Sequence, residues 1–212
     1  MTIDWLDGDE LREMLRRRFV FSGAKEDATF LEIWTKLCVS HVNGEESSEY
    51  LIERCLMRPR FLIDLLTACR SHAVNLGKDR IDESDFSYGE ERYSTDLVHN
   101  VGYELRDVFP EGEDALYELV EAPQRLEKTE LLARFGSLSL SPERCEELVK
   151  HLLWYGVIGL VREDDKVDYI YNVGYDMKRL MALVGKTAPE RLRFEINPAF
   201  WAGLETKRVA TR

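Results

Sequence analysis

The sequence is short of the residues on which several classes of function depend. Its four cysteines, Cys38, Cys55, Cys69 and Cys145, stand far apart, and no two form a CxxC pair. Metal sites need convergent Cys and His spacing, so these thiols are expected to be reduced and buried, each on the apolar side of a helix. No apolar run approaches the length of a membrane span, and the opening residues lack the basic start and apolar middle of a signal peptide. A cytoplasmic location is the default expectation. Positive charge is also scarce: 29 Lys and Arg stand against 40 Asp and Glu, a formal net charge of -11. Such a chain is repelled by phosphate backbones and anionic lipid unless its basic groups cluster, so DNA is the less favoured partner and no membrane partner is expected. With only 6 Pro and 13 Gly among 212 residues, and 44% of them hydrophobic, the composition is that of a helix-leaning globular chain large enough for two cores.

Helical periodicity then organises the first half. Leu11, Met14, Leu15 and Phe19 make one helical face, with Arg12, Arg16, Arg17 and Arg18 largely off it. The four arginines form a basic patch, read either as a solvated face with its charge toward the favourable C-terminal end or as a ligand contact. Phe30, Ile33, Trp34, Leu37, Cys38 and then His41 or Val42 recur at helical spacing, which predicts one helix over residues 30–42. His41 reads as a capping or packing residue, since no Ser, Cys or acid is spaced to work with it. The pattern breaks over residues 42–48, where Ser47 or Ser48 can cap a helix running to about Met57. Pro59 opens the next helix, with Leu62, Leu65, Leu66, Cys69, Ala73 and Leu76 on its face and Gly77 as its stop. Asp82 or Ser84 starts a helix that continues through Val108, and residues 110–113 read as a linker.

The second half has a different rhythm. Helices are expected over residues 114–121 and 128–135, and from Ser141-Pro142 to the stop at Gly156. Apolar runs at 157–161 and 167–173 flank a polar turn, a β-hairpin signal, so that three helices precede a two-stranded wing. A short helix at 175–184, a strand at 192–196 and a last helix opened by Asn197-Pro198 follow. The expected fold is therefore mainly α: a helical lid-type bundle over residues 1–110, then a winged-helix domain with a small β-hairpin and C-terminal extension over 111–205, then a frayed tail, 206–212. The third helix carries Arg144 and Lys150 against Glu143, Glu146 and Glu147, and the wing carries Arg162 and Lys166 against four acids. Both elements are acidic, which favours protein contact over DNA readout.

Chemistry-bearing motifs are few. Gly185-Lys186-Thr187 looks like the end of a P-loop, but Leu180 stands where the loop needs its first glycine, so it is not a nucleotide site. No nucleophile, zinc or paired-carboxylate pattern stands out, and neither catalytic nor metal-binding residues are expected. Arg58 and Arg60 flank Pro59 at the junction of two helices. A planar, always charged guanidinium suits phosphate oxygens, and a helix start also favours anions, so the pair reads as a phosphate sensor. The alternative is surface ion pairing to Glu49, Glu53 or Asp64.

The order of Arg58-Pro59-Arg60-Phe61-Leu62-Ile63-Asp64, Ile81-x-x-x-Asp85-Phe86 and Tyr93-Ser94 before a winged-helix pattern resembles the C-terminal half of a bacterial P-loop ATPase family. That family is of the STAND/AAA+-like kind, with a lid similar to that of origin-recognition ATPases. The opening Ile3-Asp4-Trp5, Leu11 and Leu15-Arg16-Arg17-Arg18 looks like the family's entry to the lid, and Tyr169-Ile170-Tyr171 with Asn197-Pro198-Ala199-Phe200 looks like its closing strand and helix. The resemblance implies that an arginine at the sensor helix, here Arg58 or Arg60, approaches the γ-phosphate of ATP. Two features depart from it: the P-loop and its acidic strand are missing, and Gly89 stands where alanine is expected. The resemblance thus implies a noncatalytic, nucleotide-sensing regulatory part, with ATP and Mg²⁺ only if a P-loop core is supplied in cis or trans. A homo-oligomer is compatible with it. The alternatives are a winged-helix DNA-binding regulator using Arg12, Arg16, Arg17 and Arg18, and a protein-interaction or defence module.

Overall fold

Most helices begin where a polar side chain takes up the free amides of a first turn. In the computed structural model, which describes residues 7–112 and 114–208, Asp7 accepts from the Asp9 amide to open α1 (Gly8–Phe21). Thr29 and Glu32 exchange bonds in a capping box at the head of α2 (Phe30–Leu37). Ser141 accepts from the Arg144 amide ahead of Pro142, which opens α7 (Pro142–Trp154). The fold is mainly α with small antiparallel sheets. The chain divides into two compact units, one up to Tyr93 and one from Ser94, so the division falls inside the long helix α5 (Glu83–Val108).

In the first unit, the helix expected over residues 30–42 ends early. Cys38 is extended, and a hairpin follows, β1 (His41–Val42) paired with β2 (Glu45–Glu46). Its turn places Asn43 at φ 51° and Gly44 at φ 85°, both left-handed, as a two-residue turn between twisted strands requires. The cap of α3 (Ser47–Glu53) is Glu46 rather than a serine; its carboxylate accepts from the amides of Ser48 and Glu49. α4 (Pro59–Asn75) begins at Pro59, and Gly77 adopts φ 69° just beyond its end. Asp82 accepts from the amides of Ser84 and Asp85 while Asp85 accepts from the Asp82 amide, a reciprocal cap for α5. Leu11, Leu15, Trp34, Leu51, Leu65 and Phe86 form the buried centre. Each such side chain contributes about 1.5–3 kcal/mol relative to exposure. Gly89 explains itself here: a Cβ would lie 2.7 Å from the Cys69 backbone nitrogen, so α4 and α5 pack too closely for alanine.

In the second unit, residues 117–119 form only a 3-10 turn where a longer helix was expected. The strand β3 (Arg125–Glu127) runs directly into α6 (Lys128–Arg134), and α7 leads to β4 (Ile158–Val161). β5 (Val167–Asp168) pairs with β4, but the expected strand over 167–173 stops there, because residues 170–173 turn into a 3-10 segment. After α8 (Met177–Lys186), β6 (Arg193–Ile196) enters between β3 and β4, giving the antiparallel order β3-β6-β4-β5. Phe194 thereby faces both Leu126 and Leu160 across the sheet. Asn197-Pro198 opens a 3-10 turn and further turns rather than a helix. Gly185 and Lys186 are the last residues of α8, so Gly185-Lys186-Thr187 is a helix end. Ile3-Asp4-Trp5, linker residue Glu113 and tail residues 209–212 lie outside the described residues.

Candidate functional site

The junction of α3 and α4 is built by unusual backbone. Leu56 and Met57 are both left-handed, each at φ 52°, which β-carbon-bearing residues adopt at some cost. Arg58 then becomes extended at φ -110° and ψ 119°, as a residue before proline must, and donates its amide to the Cys55 carbonyl at 2.9 Å. No side chain caps the first turn of α4. The Arg58 guanidinium lies 5.2 Å from the ring centre of Phe61, a cation–π distance. Arg60 is 88% exposed and, among the described residues, pairs only with Asp64, at 3.8 Å. Thus the structure places one arginine against an aromatic ring and the other in solvent, with the ion pair to Asp64 that the sequence allows.

Tyr93 completes this corner. Its ring meets Phe61 edge-on at 6.3 Å, and its buried hydroxyl has no hydrogen-bond partner among the described residues. Burial pushes the phenol well above its usual range, the nearby Asp64 carboxylate adds to the effect, and Arg58 opposes it. A buried hydroxyl without a partner is costly, and such groups in folded proteins call for an explanation.

The other arginine cluster is largely consumed by local pairing. Arg12 meets Asp9 at 2.9 Å, the Ser48 hydroxyl at 3.0 Å, and Glu49. Arg16 holds both oxygens of Glu13, at 2.7 and 3.0 Å, and Arg17 holds one at 2.8 Å. These two guanidinium groups lower the Glu13 carboxyl to about 2. Arg18 has no partner among the described residues and points to a groove beside α4. His41 is exposed in the hairpin, with Nδ1 3.1 Å from the Ser40 hydroxyl oxygen.

Two polar clusters in this unit escape a reading by periodicity. Arg54, 4% exposed, ion-pairs with Glu90 at 3.0 Å and Glu45 at 3.3 Å, and lies 3.6 Å over the Tyr50 ring. Tyr50 in turn donates its hydroxyl to Glu90. Asp85, fully buried, meets His72 at 2.7 Å and Lys78 at 3.0 Å, and Tyr88 stacks on His72. For the first, the available signal was the charged pair Glu53-Arg54 inside the otherwise apolar run from Tyr50 to Leu56. All four cysteines are buried and free, and burial pushes the Cys38 and Cys55 thiols up to about 12.

Among the described residues, no group of three or more His, Cys, Asp or Glu converges as a metal site, and no helix is long and apolar enough to cross a membrane. These features define a mainly α protein of two units whose arginine-bearing corner lies in the first. Residues 9–102, a little under half of the chain, match the family model of the FunZ-associated C-terminal helical domain. No curated protein and no solved structure matches the chain.

Proposed function

We propose that the chain is a noncatalytic regulatory part of a P-loop ATPase, in which nucleotide held by a separate core, in cis or in trans, is read by Arg58 and Arg60. The family description, a C-terminal helical domain associated with FunZ, supports the coarser half of this reading, an accessory region of a larger protein. The finer half rests on one observation, the corner at the head of α4. There an uncapped first turn, a guanidinium in solvent, a second on Phe61 and a buried hydroxyl without a partner occur together. Free amides and arginines are what a phosphate oxygen needs, and the left-handed pair Leu56–Met57 fixes their direction.

In the second unit, α6, α7 and β4 follow one another as in a winged helix, with β6 as the strand beside β3. Three of its arginines face its own carboxylates: Arg125 holds Asp165 and Glu195, Arg144 holds Glu111 and Glu147, and Arg162 holds Asp168. That pairing supports contact with protein in preference to duplex DNA. In this reading ATP and Mg²⁺ belong to the core, and the location is the cytoplasm. In an ATPase assembly containing this chain, R60A and R58A should each slow ATP turnover by about tenfold or more. Turnover unchanged in both variants overturns the sensor reading.

A further inference from the structure

A groove of about 940 Å³ runs between α4 and the α1–α2 pair of the first unit, beginning at Ile63, beyond the arginine corner. Its floor is hydrocarbon: Leu15 and Phe19 from α1, Trp34 from α2, and Ile63, Leu66 and Val74 from α4. The spacing explains the surface. Ile63, Leu66, Thr67, Arg70 and Val74 lie on one stripe of α4, and Leu15, Arg18 and Phe19 lie on one stripe of α1, so each helix turns an apolar seam edged by an arginine into the groove.

The rim carries six cations, Arg18, Lys25, Lys36, Arg70, Lys78 and Arg80, against a single acid, Asp79. This is the reverse of the chain as a whole, whose net charge is -11. Lys78 is engaged by Asp82 and Asp85, and Arg80 by the Cys38 carbonyl. Arg18 and Arg70 have no hydrogen-bond or ion-pair partner among the described residues, while Lys25 and Lys36 make no close ion pair and feel only the longer-range charge of Glu32. The four come from α1, the α1–α2 connection, α2 and α4, so they surround the groove rather than line one helix. Clustering unpaired cations around a low-dielectric cleft disfavours the empty state and focuses the field on an anion.

We infer that this groove binds a small anionic amphiphile, a monomeric molecule with an aliphatic body and a phosphate or carboxylate head. The volume lies at the upper end of the roughly 300–1,000 Å³ range of small-molecule sites. The floor offers carbon surface for an alkyl chain, whereas the ring nitrogens and exocyclic groups of a nucleobase need polar partners that these floor side chains lack. The rim supplies the charge that the head requires, and it discriminates against a cation of the same length.

The test is isothermal titration of the chain with dodecyl phosphate, kept below its micelle concentration. Saturable binding at one site is expected, weakened at least about tenfold in the double variant R18E/R70E, which alters two exposed side chains. R92E, a single Arg-to-Glu change on the exposed side of α5 outside the groove, should leave affinity unchanged, and circular dichroism should report the same helix content for all three proteins. Several results overturn the inference: no binding, an affinity for inorganic phosphate as high as for dodecyl phosphate, or an R18E/R70E affinity equal to that of the parent. Equal binding of dodecyltrimethylammonium also overturns it, because the groove would then be a bare apolar contact face for a protein.

Discussion

In the first unit Arg54 is almost wholly enclosed with Glu90 and Tyr50, whereas in the second Arg125 joins Asp165 and Glu195 at a partly exposed sheet edge. The fully buried charged residues among those described, Arg54 and Asp85, both belong to the first unit. The buried polar residues of the second, Ser94 and Asn197, are neutral and satisfied: Ser94 accepts from the Gly203 amide at 2.8 Å, and Asn197 reaches the Ala199 amide and the Tyr171 hydroxyl, each at 3.0 Å. The contrast separates two ways of stabilising a small core. Interior ion pairs add little net stability over apolar packing, yet losing one partner strands the other, so the first unit is brittle toward single substitutions. The second relies on sheet and helix packing and tolerates loss of an ion pair.

Substitutions in each unit put this contrast to the test, in order of decreasing effect. Arg54→Met should destabilise the first unit most, by about 3–5 kcal/mol, because Glu90 keeps its charge without a cation. Urea unfolding followed by circular dichroism measures it, and R54M/E90L should regain much of the loss. Gly89→Ala should cost about 1–3 kcal/mol in the same assay, since its Cβ meets the Cys69 backbone. Arg125→Ala, breaking ion pairs to both Asp165 and Glu195 in the second unit, should cost no more than about 1 kcal/mol. A larger loss in R125A than in R54M would show that the two units do not differ in this way.

The smallest effect belongs to Glu13, whose carboxyl is depressed from 4.5 to about 2 by Arg16 and Arg17. A depressed carboxyl protects the folded state above its unfolded pKa. Its contribution is therefore present above about pH 4.5 and disappears as pH falls toward 2. Melting temperatures across that window should fall less steeply for E13Q than for the parent.

What the sequence made legible was what periodicity and local caps encode. The stripes around Leu11, Leu62 and Leu148, Pro59 as a helix start, Gly77 and Gly156 as stops and the strand at 193–196 follow from spacing and from backbone preferences of single residues. Asn43-Gly44 encodes the β1–β2 hairpin just as locally, but strands of two residues are too short to alternate, and the apolar stripe before them masks the change. The order of β6 between β3 and β4 is set by pairing across more than thirty residues, which no local pattern reports. At the candidate site, Arg58 and Arg60 are conspicuous because they flank a proline. Tyr93, and Glu90 as a partner of Arg54, are not, because their proximity is created by the packing of α5 against α4 and α3.

Isothermal titration of the chain with Mg·ATP decides whether nucleotide is held by this chain or by a separate core. A regulatory part that reads nucleotide held elsewhere should show no saturable heat up to millimolar nucleotide and no release of phosphate. Saturable binding with hydrolysis would contradict the account, because it would place a complete nucleotide site within this chain.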